Sequence, residues 1–443
     1  MLRILHTVLF TSILSLMLMA QGDLNSPFSR FGIGDLNDRG FMHLRQMGGL
    51  LSSYQDNYHL NFENPASLAF LSATAFDVGL EMQYAQLEDP ENMSNQWSGN
   101  LSYIGFGFPL RNPVNQVFSN ERYDFNWGMG FAITPVSTIA YEITKEDELP
   151  EIGRFNRSFT GEGGFYKAIW GNALRYKQFS GGLNLGMLFG KDSYTRNVDF
   201  IDEISAYDNA FTRSYTARGF YWDAGVMYNL YLNNTSTDNT SRYEPKYFTF
   251  GLTAKSNTGF STESDVSDIN FLVATSTNVI VDTLNFSSGI KGNGVMPGEL
   301  GFGMTYHHKN KFAIGVDYKR VFWSNYENDA NPESLDNTSR FALGGYYRPD
   351  YNSINSFFSR IYYRFGFFME QDPRQIENKS IDNYGLNLGF GLPFTWQRKI
   401  SHMNLGVSLG KRSIDDILSE TYVKMTLGFT FNDSDWFIKR KYN

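Results

Sequence analysis

The chain of 443 residues carries 38 Lys and Arg against 46 Asp and Glu, a formal net charge of −8, and no cysteine. The absence of Cys excludes disulfides, thiolate metal sites, Cys nucleophiles and a lipid-modified N-terminal Cys, and the acidic balance argues against nucleic acid as a partner. Aromatics make up 16% of the residues and charged residues only 19%, and after residue 20 no run approaches the ~20 apolar residues of a membrane helix. A soluble β-protein or a membrane β-barrel remains.

Residues 1–20 read as a secretory signal peptide. Met1-Leu2-Arg3 gives a short positive start, Ile4 to Met19 an apolar run, and Ala20 a small residue at which cleavage would fall. An N-terminal anchor helix is the competing reading, but the run is short and a small residue closes it. Residues 21–72 show little alternation and much Gly, Pro, Asn and Arg, as in Ser26-Pro27-Phe28-Ser29-Arg30-Phe31-Gly32 and Asn64-Pro65-Ala66. Irregular backbone at membrane depth is tolerated only when shielded by protein, so this segment is expected to be a plug inside a barrel. Its candidate residues are Arg30, Phe31, Asn64, Pro65 and Ala66, with Arg30, Arg39 and Arg45 available to pair with inward acids.

From residue 73 to 433 short alternating segments follow one another, with strands expected at 73–87, 96–109, 122–133, 136–146, 180–195, 213–231 and 244–259, then at 298–308, 311–324, 338–349, 357–371, 379–394, 401–412 and 420–433. That makes fourteen, each longer than the ~9–11 residues that cross a bilayer. In Tyr384-Leu386-Leu388-Phe390-Leu392 the apolar side chains share one face. The other face reads Asn383-Gly385-Asn387-Gly389-Gly391. Glycine packs nothing on the solvent face of a soluble sheet, but inside a barrel it leaves room for a plug, water or a ligand. Phase breaks at Ile104 and Gly344-Gly345 suggest bulges. His308-Lys309-Asn310 and Gln397-Arg398-Lys399 suit periplasmic turns. Thr144 to Glu162, Asn233 to Arg242, Ser261 to Gly294 and Glu327 to Thr338 suit outer loops, and 164–177 suits a short helix. Residues 434–443 are left as a C-terminal periplasmic tail. The expected fold is all-β: a transmembrane antiparallel β-barrel of about 14 strands with an N-terminal lumenal plug.

Asn64-Pro65-Ala66 leading into the first strand, together with Met296-Pro297-Gly298-Glu299-Leu300-Gly301-Phe302-Gly303 and Val316-Asp317-Tyr318…Trp323-Ser324, resembles the long-chain fatty acid transporter (FadL/toluene transporter-like) superfamily. The Ser26 to Gly32 stretch and the Trp436-Phe437-Ile438-Lys439-Arg440-Lys441 end look like its Bacteroidetes, PorV-like outer-membrane branch. The resemblance implies a 14-stranded barrel with an N-terminal hatch in the cell outer membrane. The tail beyond Phe431 departs from barrels that end on an aromatic, and no fatty-acid-binding residue carries over.

Chemistry is sparse. His307 and His308, as strand neighbours, face opposite sides and cannot share a metal. No nucleophile elbow or phosphate loop appears, so no catalytic, metal or cofactor residue is assigned and no enzyme is expected. Charges that share the inward face are more informative: Asp77, Glu81, Asp317, Lys319, Arg360 and Arg364 are expected as lumenal ion pairs fixing the plug or as part of a substrate path. Two functions stand open. One is passage of small apolar molecules across or into the outer membrane; the other is a non-transporting subunit or docking protein of an outer-membrane secretion or assembly complex. Partners follow: outer-membrane lipid, a hydrophobic small-molecule ligand in the first case, other outer-membrane proteins in the second.

Overall fold

The structure, a computed structural model, describes residues 26–435 apart from 91, 112–124, 151–152, 203–205, 233–245, 275–276, 377–378, 397–398 and 415–416, and without the side chains of 272–274 and 277–280. Fourteen strands form the wall. They are β1 (Thr74–Glu88), β2 (Met93–Pro109), β3 (Phe125–Leu149), β4 (Gly153–Tyr176), β5 (Phe179–Phe200) and β6 (Asp208–Tyr231). β7 runs over Lys246–Lys255 and resumes over Thr258–Ala274; β8 runs over Thr277–Met296 and resumes over Glu299–His308. β9 (Phe312–Val321), β10 (Thr338–Tyr347), β11 (Tyr362–Ile376), β12 (Lys379–Trp396), β13 (Lys399–Ile414) and β14 (Leu418–Asp433) complete it. Each strand pairs antiparallel with the next, and β14 closes on β1 from Ser419↔Glu88 to Asp433↔Thr74. The result is a closed transmembrane barrel.

The alternation places side chains as period two demands. On β12 Leu386 and Leu388 are 57% and 60% exposed on the lipid face, while Asn387 between them is buried against the lumen. Lumenal glycines let the plug backbone approach the wall: a Cβ at Gly366 would lie 1.9 Å from Gly48 N, and one at Gly128 1.9 Å from Leu68 O. The reading of inward glycine as space for a plug therefore has a direct steric basis.

The count of fourteen agrees with the sequence reading, but through two compensating errors. The expected strands 122–133 and 136–146 are one strand, β3, over their described residues from Phe125 onward, and it crosses Pro135 with a register shift between Pro135 and Ser137. The expected helix at 164–177 is the second half of β4, paired along its length with β3 and β5. Its inward face holds Phe165, Ile169 and Ala173, all buried, so both faces are apolar and the period is blurred. The supposed loops Thr144 to Glu162 and Ser261 to Gly294 are mostly strand as well, paired as β3 with β4 and β7 with β8. Near Ile104 the expected bulge is present: Ser102 has no partner where Gly79↔Tyr103 is followed by Leu80↔Leu101. At Gly344-Gly345 there is none, since both ladders run through without a shift. Residues 233–242 and Gln397-Arg398 lie outside the described residues, as do residues 1–20, expected as a signal peptide, and Trp436 onward.

The two ends of the barrel differ. At one end β4 meets β5 around Lys177 (φ 53°) and β8 meets β9 around Lys309 (φ 55°), both tight turns. Thr74 and Asp433 also lie at this short-turn end. At the other end β3 to β8 rise well beyond their neighbours. β3 is 25 residues long, more than twice what a tilted strand needs to cross lipid. At that height the strands carry charge, such as Arg154 between Glu146 (3.5 Å) and Asp202 (3.0 Å). This tall end therefore stands in water.

One seam in the wall is only half laddered. β2 and β3 pair from Ile104↔Ile133 to Pro109↔Gly128 and then part. Pro135 has no N–H to give, and the bulge beside it turns β3 away. Asp35 and Leu36 of the plug take the vacated edge of β3, paired with Thr138 and Ser137. Ser26 N–H and Asn37 N–H donate to Ala140 O and Val136 O (both 3.0 Å).

Candidate functional site: the plug and its lumen

The plug crosses the lumen from the tall end to the short-turn end. It begins with a 3-10 turn, Pro27–Arg30, in which Pro takes the first position, where its missing N–H costs nothing. Phe28 is fully buried against Leu87, Ile381 and Ile414 near the tall end. Gly34 (φ +88°) sits where a Cβ would strike Thr138 O at 2.6 Å, so the bridge to β3 requires glycine. A single helical turn, Met42–Arg45, is wholly buried, and a second 3-10 segment, Pro65–Phe70, leads to β1. Asn64 Oδ1 accepts from Ala66 N–H (3.1 Å) and its Nδ2 donates to Ser52 O (2.6 Å), with Pro65 fixing the entry of that segment.

Charges tie the plug to the wall at successive heights. Asp35 accepts from Arg374 and Arg412, each at 2.8 Å. Asp38 meets Lys424 at 2.8 Å, and Arg45 meets Glu81 at 2.7 Å. Arg39 pairs with Glu299 (2.6 Å), which also faces Lys319, and Lys319 reaches Glu63 (3.0 Å). Hydrogen bonds between ionisable wall side chains and neutral partners continue the pattern. Ser52 N–H donates to Asp317 (2.7 Å), Arg364 donates to Gln46 and Asn404 (2.8 and 2.6 Å), and Arg340 donates to Gly48 O and Gly49 O (2.6 and 3.1 Å). Burial alone would raise the plug carboxyls. Lys319, Lys167 and Arg39 instead hold Glu63 down at about 2, and Lys424 and Arg45 hold Asp38 at about 2.

The structure thus places Glu81, Asp317, Lys319 and Arg364 of the sequence candidates against the plug. Asp77 is buried but accepts from Tyr103 and Thr430 rather than from an arginine. Arg360 corrects the reading: it belongs to a 3-10 turn, Phe358–Arg360, before β11, and lies over Phe357 rather than on a strand face. Arg30 stacks on Phe159 at 4.4 Å, while Phe31 is half-buried. Sequence reasoning missed Glu299, Arg374, Arg412 and Lys424, the wall partners of the plug. Glu299 stood inside the Met296 to Gly303 motif, and Arg374 follows Pro373, where alternation fails.

Two cavities flank the plug. One, of about 140 Å³, is lined by Asp38, Arg39, Glu63, Lys167, Lys255 and Glu299 among others, with the Tyr221 ring 4.9 Å from Lys167 Nζ and 5.1 Å from Lys255 Nζ. The other is a vestibule of about 650 Å³ at the short-turn end, whose walls include Asp56, Tyr58, Arg175, Arg348, His307 and His402. Beneath it the rings of His43, His59 and His402 lie in a row, 4.7 and 4.8 Å between centroids. Burial, then His59 and Arg364, push the His43 imidazole well below its ordinary value. His307 faces inward on Tyr247 while His308 stacks on Phe312, on the opposite side of the strand. Among the described residues no group of three His, Asp or Glu is placed to hold a metal ion.

A family model described as BamG matches residues 1–443. The chain belongs to the BamG family. Its fold is shared with solved hydrocarbon channels at low identity. The Pseudomonas putida toluene transporter TodX aligns with a TM-score of 0.53 at 13% identity, over 91% of this chain and 99% of that one. The CymD monoaromatic hydrocarbon channel aligns at 0.52 and 14%, again over 91% and 99%. A Pseudomonas aeruginosa FadL homologue gives 0.51 and 10%, over 90% and 99%. These likenesses do not single out the PorV-like branch, and no curated protein matches the chain. For this BamG-family chain the resemblance to the FadL type therefore holds at the level of the fold.

Proposed function

We propose that this protein is a closed, non-enzymatic barrel of the outer membrane that serves as a subunit or docking protein of an assembly complex. In this reading the short-turn end faces the periplasm and the tall end the exterior, as short turns and long extensions are arranged in such barrels. The observation that carries it is the charge-locked plug. Asp35, Asp38, Arg39, Arg45 and Glu63 each hold an oppositely charged wall residue within 3.0 Å. The cavity beside them mixes charged side chains, Asp38, Arg39, Glu63, Lys167, Lys255 and Glu299, with apolar ones such as Phe62, Leu188 and Trp323. The BamG match supports a role in assembly with outer-membrane protein partners.

Purification of the full chain from native membranes in mild detergent tests this. The expected result is recovery with other outer-membrane proteins in fixed ratio, and no conductance when reconstituted in a planar bilayer. A protein that purifies alone and retains a small apolar compound would overturn it.

A second reading, passage of small apolar molecules, is favoured by the half-laddered seam between β2 and β3 and by the fold shared with hydrocarbon channels. Uptake of a radiolabelled aromatic into proteoliposomes, compared with protein-free vesicles, separates the two.

A further inference from the structure

We propose that the vestibule at the short-turn end is a binding site for an extended acidic segment of a periplasmic protein, one that carries an apolar side chain among its carboxylates. The inference rests on the subunit reading above and names the mouth at which such a partner is held.

The first observation is unanswered charge. The described walls of the vestibule, which encloses about 650 Å³, carry Arg175, Lys309, Arg348 and Arg360 against one carboxylate, Asp56. That carboxylate is turned to the plug: Oδ1 accepts from Tyr58 N–H (2.7 Å) and His59 N–H (3.2 Å), and Oδ2 from Tyr54 OH (3.2 Å). Among the described residues none of the three arginines forms an ion pair. Arg348 is positioned by neutral partners, donating to Tyr362 OH (2.6 Å) and Asn310 O (3.3 Å) while lying over the Tyr362 and Tyr351 rings. Arg175 lies over Phe70 of the plug (4.6 Å) and meets the neutral Asn126 amide. Arg360 lies over Phe357 (5.7 Å), and its Nε is buried without a hydrogen bond. Half-buried guanidiniums held on rings and amides keep N–H groups and charge for an incoming carboxylate.

The second observation is spacing. Arg175 stands at the lower end of β4 and Arg348 just past the lower end of β10, six strands round the ring of fourteen. At ~4.8 Å per strand and a tilt of about 40°, the two backbones are roughly 25 Å apart across the mouth. No single phosphate or carboxylate reaches both sides, whereas an extended peptide, at ~3.3 Å per residue, does. Arg175 looks into the lumen, since its strand neighbours Leu174 and Tyr176 are the exposed, lipid-facing ones. Lipid headgroups around the wall therefore do not reach it.

The third is the β10–β11 connection, residues 348–361, which forms one wall of the vestibule. Two or three residues suffice for the turns at Lys177 and Lys309, so this connection is long for its end of the barrel. It is ordered by its own hydrogen bonds, Arg348 N–H to Lys311 O (2.6 Å), Asp350 N–H to Ser359 O (2.8 Å) and Ser356 N–H to Ser353 Oγ (3.2 Å). Its one acid, Asp350, lies outside the lining and accepts from Asn352 N–H (3.0 Å). At its tip Ile354 is 94% exposed, the most exposed large apolar side chain among the described residues, and it faces the vestibule. Cations set around an apolar tip select carboxylates set around an apolar side chain. The chain's own end, with Lys439-Arg440-Lys441, is basic and does not complement this mouth.

The test uses the full chain purified in mild detergent and a fluorescent hexapeptide of alternating Glu and Leu, read by anisotropy. The expected result is saturable binding that weakens about ten-fold or more when Arg175→Gln and Arg360→Gln are combined, and by as much when Gln replaces Glu in the peptide. Inorganic phosphate at the same concentration should not compete. Heat-modifiable migration checks that the variant barrel is intact. Equal binding of the two peptides, or full competition by phosphate, overturns the proposal. In intact cells a photo-crosslinking amino acid at Ile354 should capture another protein, and the double variant should lose that adduct. No adduct, an adduct with a second copy, or one that the double variant keeps overturns the proposal, and co-purification of other outer-membrane proteins then leaves the subunit reading standing. If the parent purifies alone as well, both fail.

Discussion

Arg45 of the plug and Glu81 of β1 stand 2.7 Å apart with side chains only 9% and 12% exposed. Each neutralises a charge the other could not leave buried. Arg45 also donates to Asp38 O and Gly40 O, so it pins the segment that leads into the plug helix. Removing one partner of such a pair costs about 3–5 kcal/mol, whereas replacing both with well-packed apolar residues is often neutral. Arg45→Met and Glu81→Met alone should therefore destabilise strongly, and the double variant much less. Urea titrations in detergent, arranged as a double-mutant cycle, measure the difference. Simply additive costs would mean the two residues act independently.

The wall glycines offer a steric test. A Cβ at Gly366 meets Gly48 N at 1.9 Å and Met47 C at 2.3 Å, both backbone, whereas one at Gly181 meets nothing within 4 Å. Gly366→Leu should displace the plug while the barrel still inserts, giving measurable ion conductance in a planar bilayer. Gly181→Ala should stay closed and change stability by less than about 0.5 kcal/mol. A closed Gly366→Leu barrel would mean the plug can yield without opening a path.

Lipid exposure sets a third expectation. Leu386→Arg and Leu388→Arg should each cost roughly 2–4 kcal/mol near the midplane. Asn387→Arg should be milder, since Asn387 borders the charged cavity. Equal costs in folding titrations into vesicles would show that this face does not meet lipid.

How much of this was legible follows from what each face must satisfy. Where the lumen side needs only space, as at Gly389 beside Gln46 of the plug and at Gly385 and Gly391 beside Phe368 and Arg364 of β11, apolar and small residues alternate cleanly and β12 is plain. Where the lumen side must pack apolar plug residues, as at Phe165 and Ile169 of β4, both faces turn apolar and the strand imitates a helix. The tall ends of β7 and β8 were hidden for a different reason: in water neither face need be apolar, and bulges break what period remains. Glu81 and Lys319 could be read as lumenal because a charge on an inward strand position needs a partner. Which plug residue would answer each depended on a path through the lumen that no local pattern encodes.

Acidity should loosen the plug. His43 is kept neutral by burial and its neighbours, so below about pH 6.5 the undocked segment binds a proton that the docked one refuses. Glu63 and Asp38, both held near 2, contribute docking stability above their ordinary values of 4.5 and 3.8 that is lost as pH falls toward 2. All three act in the same direction. Protease cleavage within residues 38–63, followed from pH 8 to pH 4, should begin to rise below about pH 6.5, and His43→Phe should delay that first rise. A flat profile would remove the role assigned to these groups.

The plug enters beside β3 at the tall end and leaves into β1 at the short-turn end. A cord fixed at both mouths of a tube is not easily inserted after the tube has closed. The β14–β1 ladder must therefore form last, around a segment already laid against β3 and β4. That makes residues 26–73 a mandrel on which the wall is wound. It ties closure to contacts more than a hundred positions apart, Asp35 with Thr138 and Arg412 with Asp35, and so to slow maturation. Until that ladder forms, the wall is an open sheet with two exposed edges.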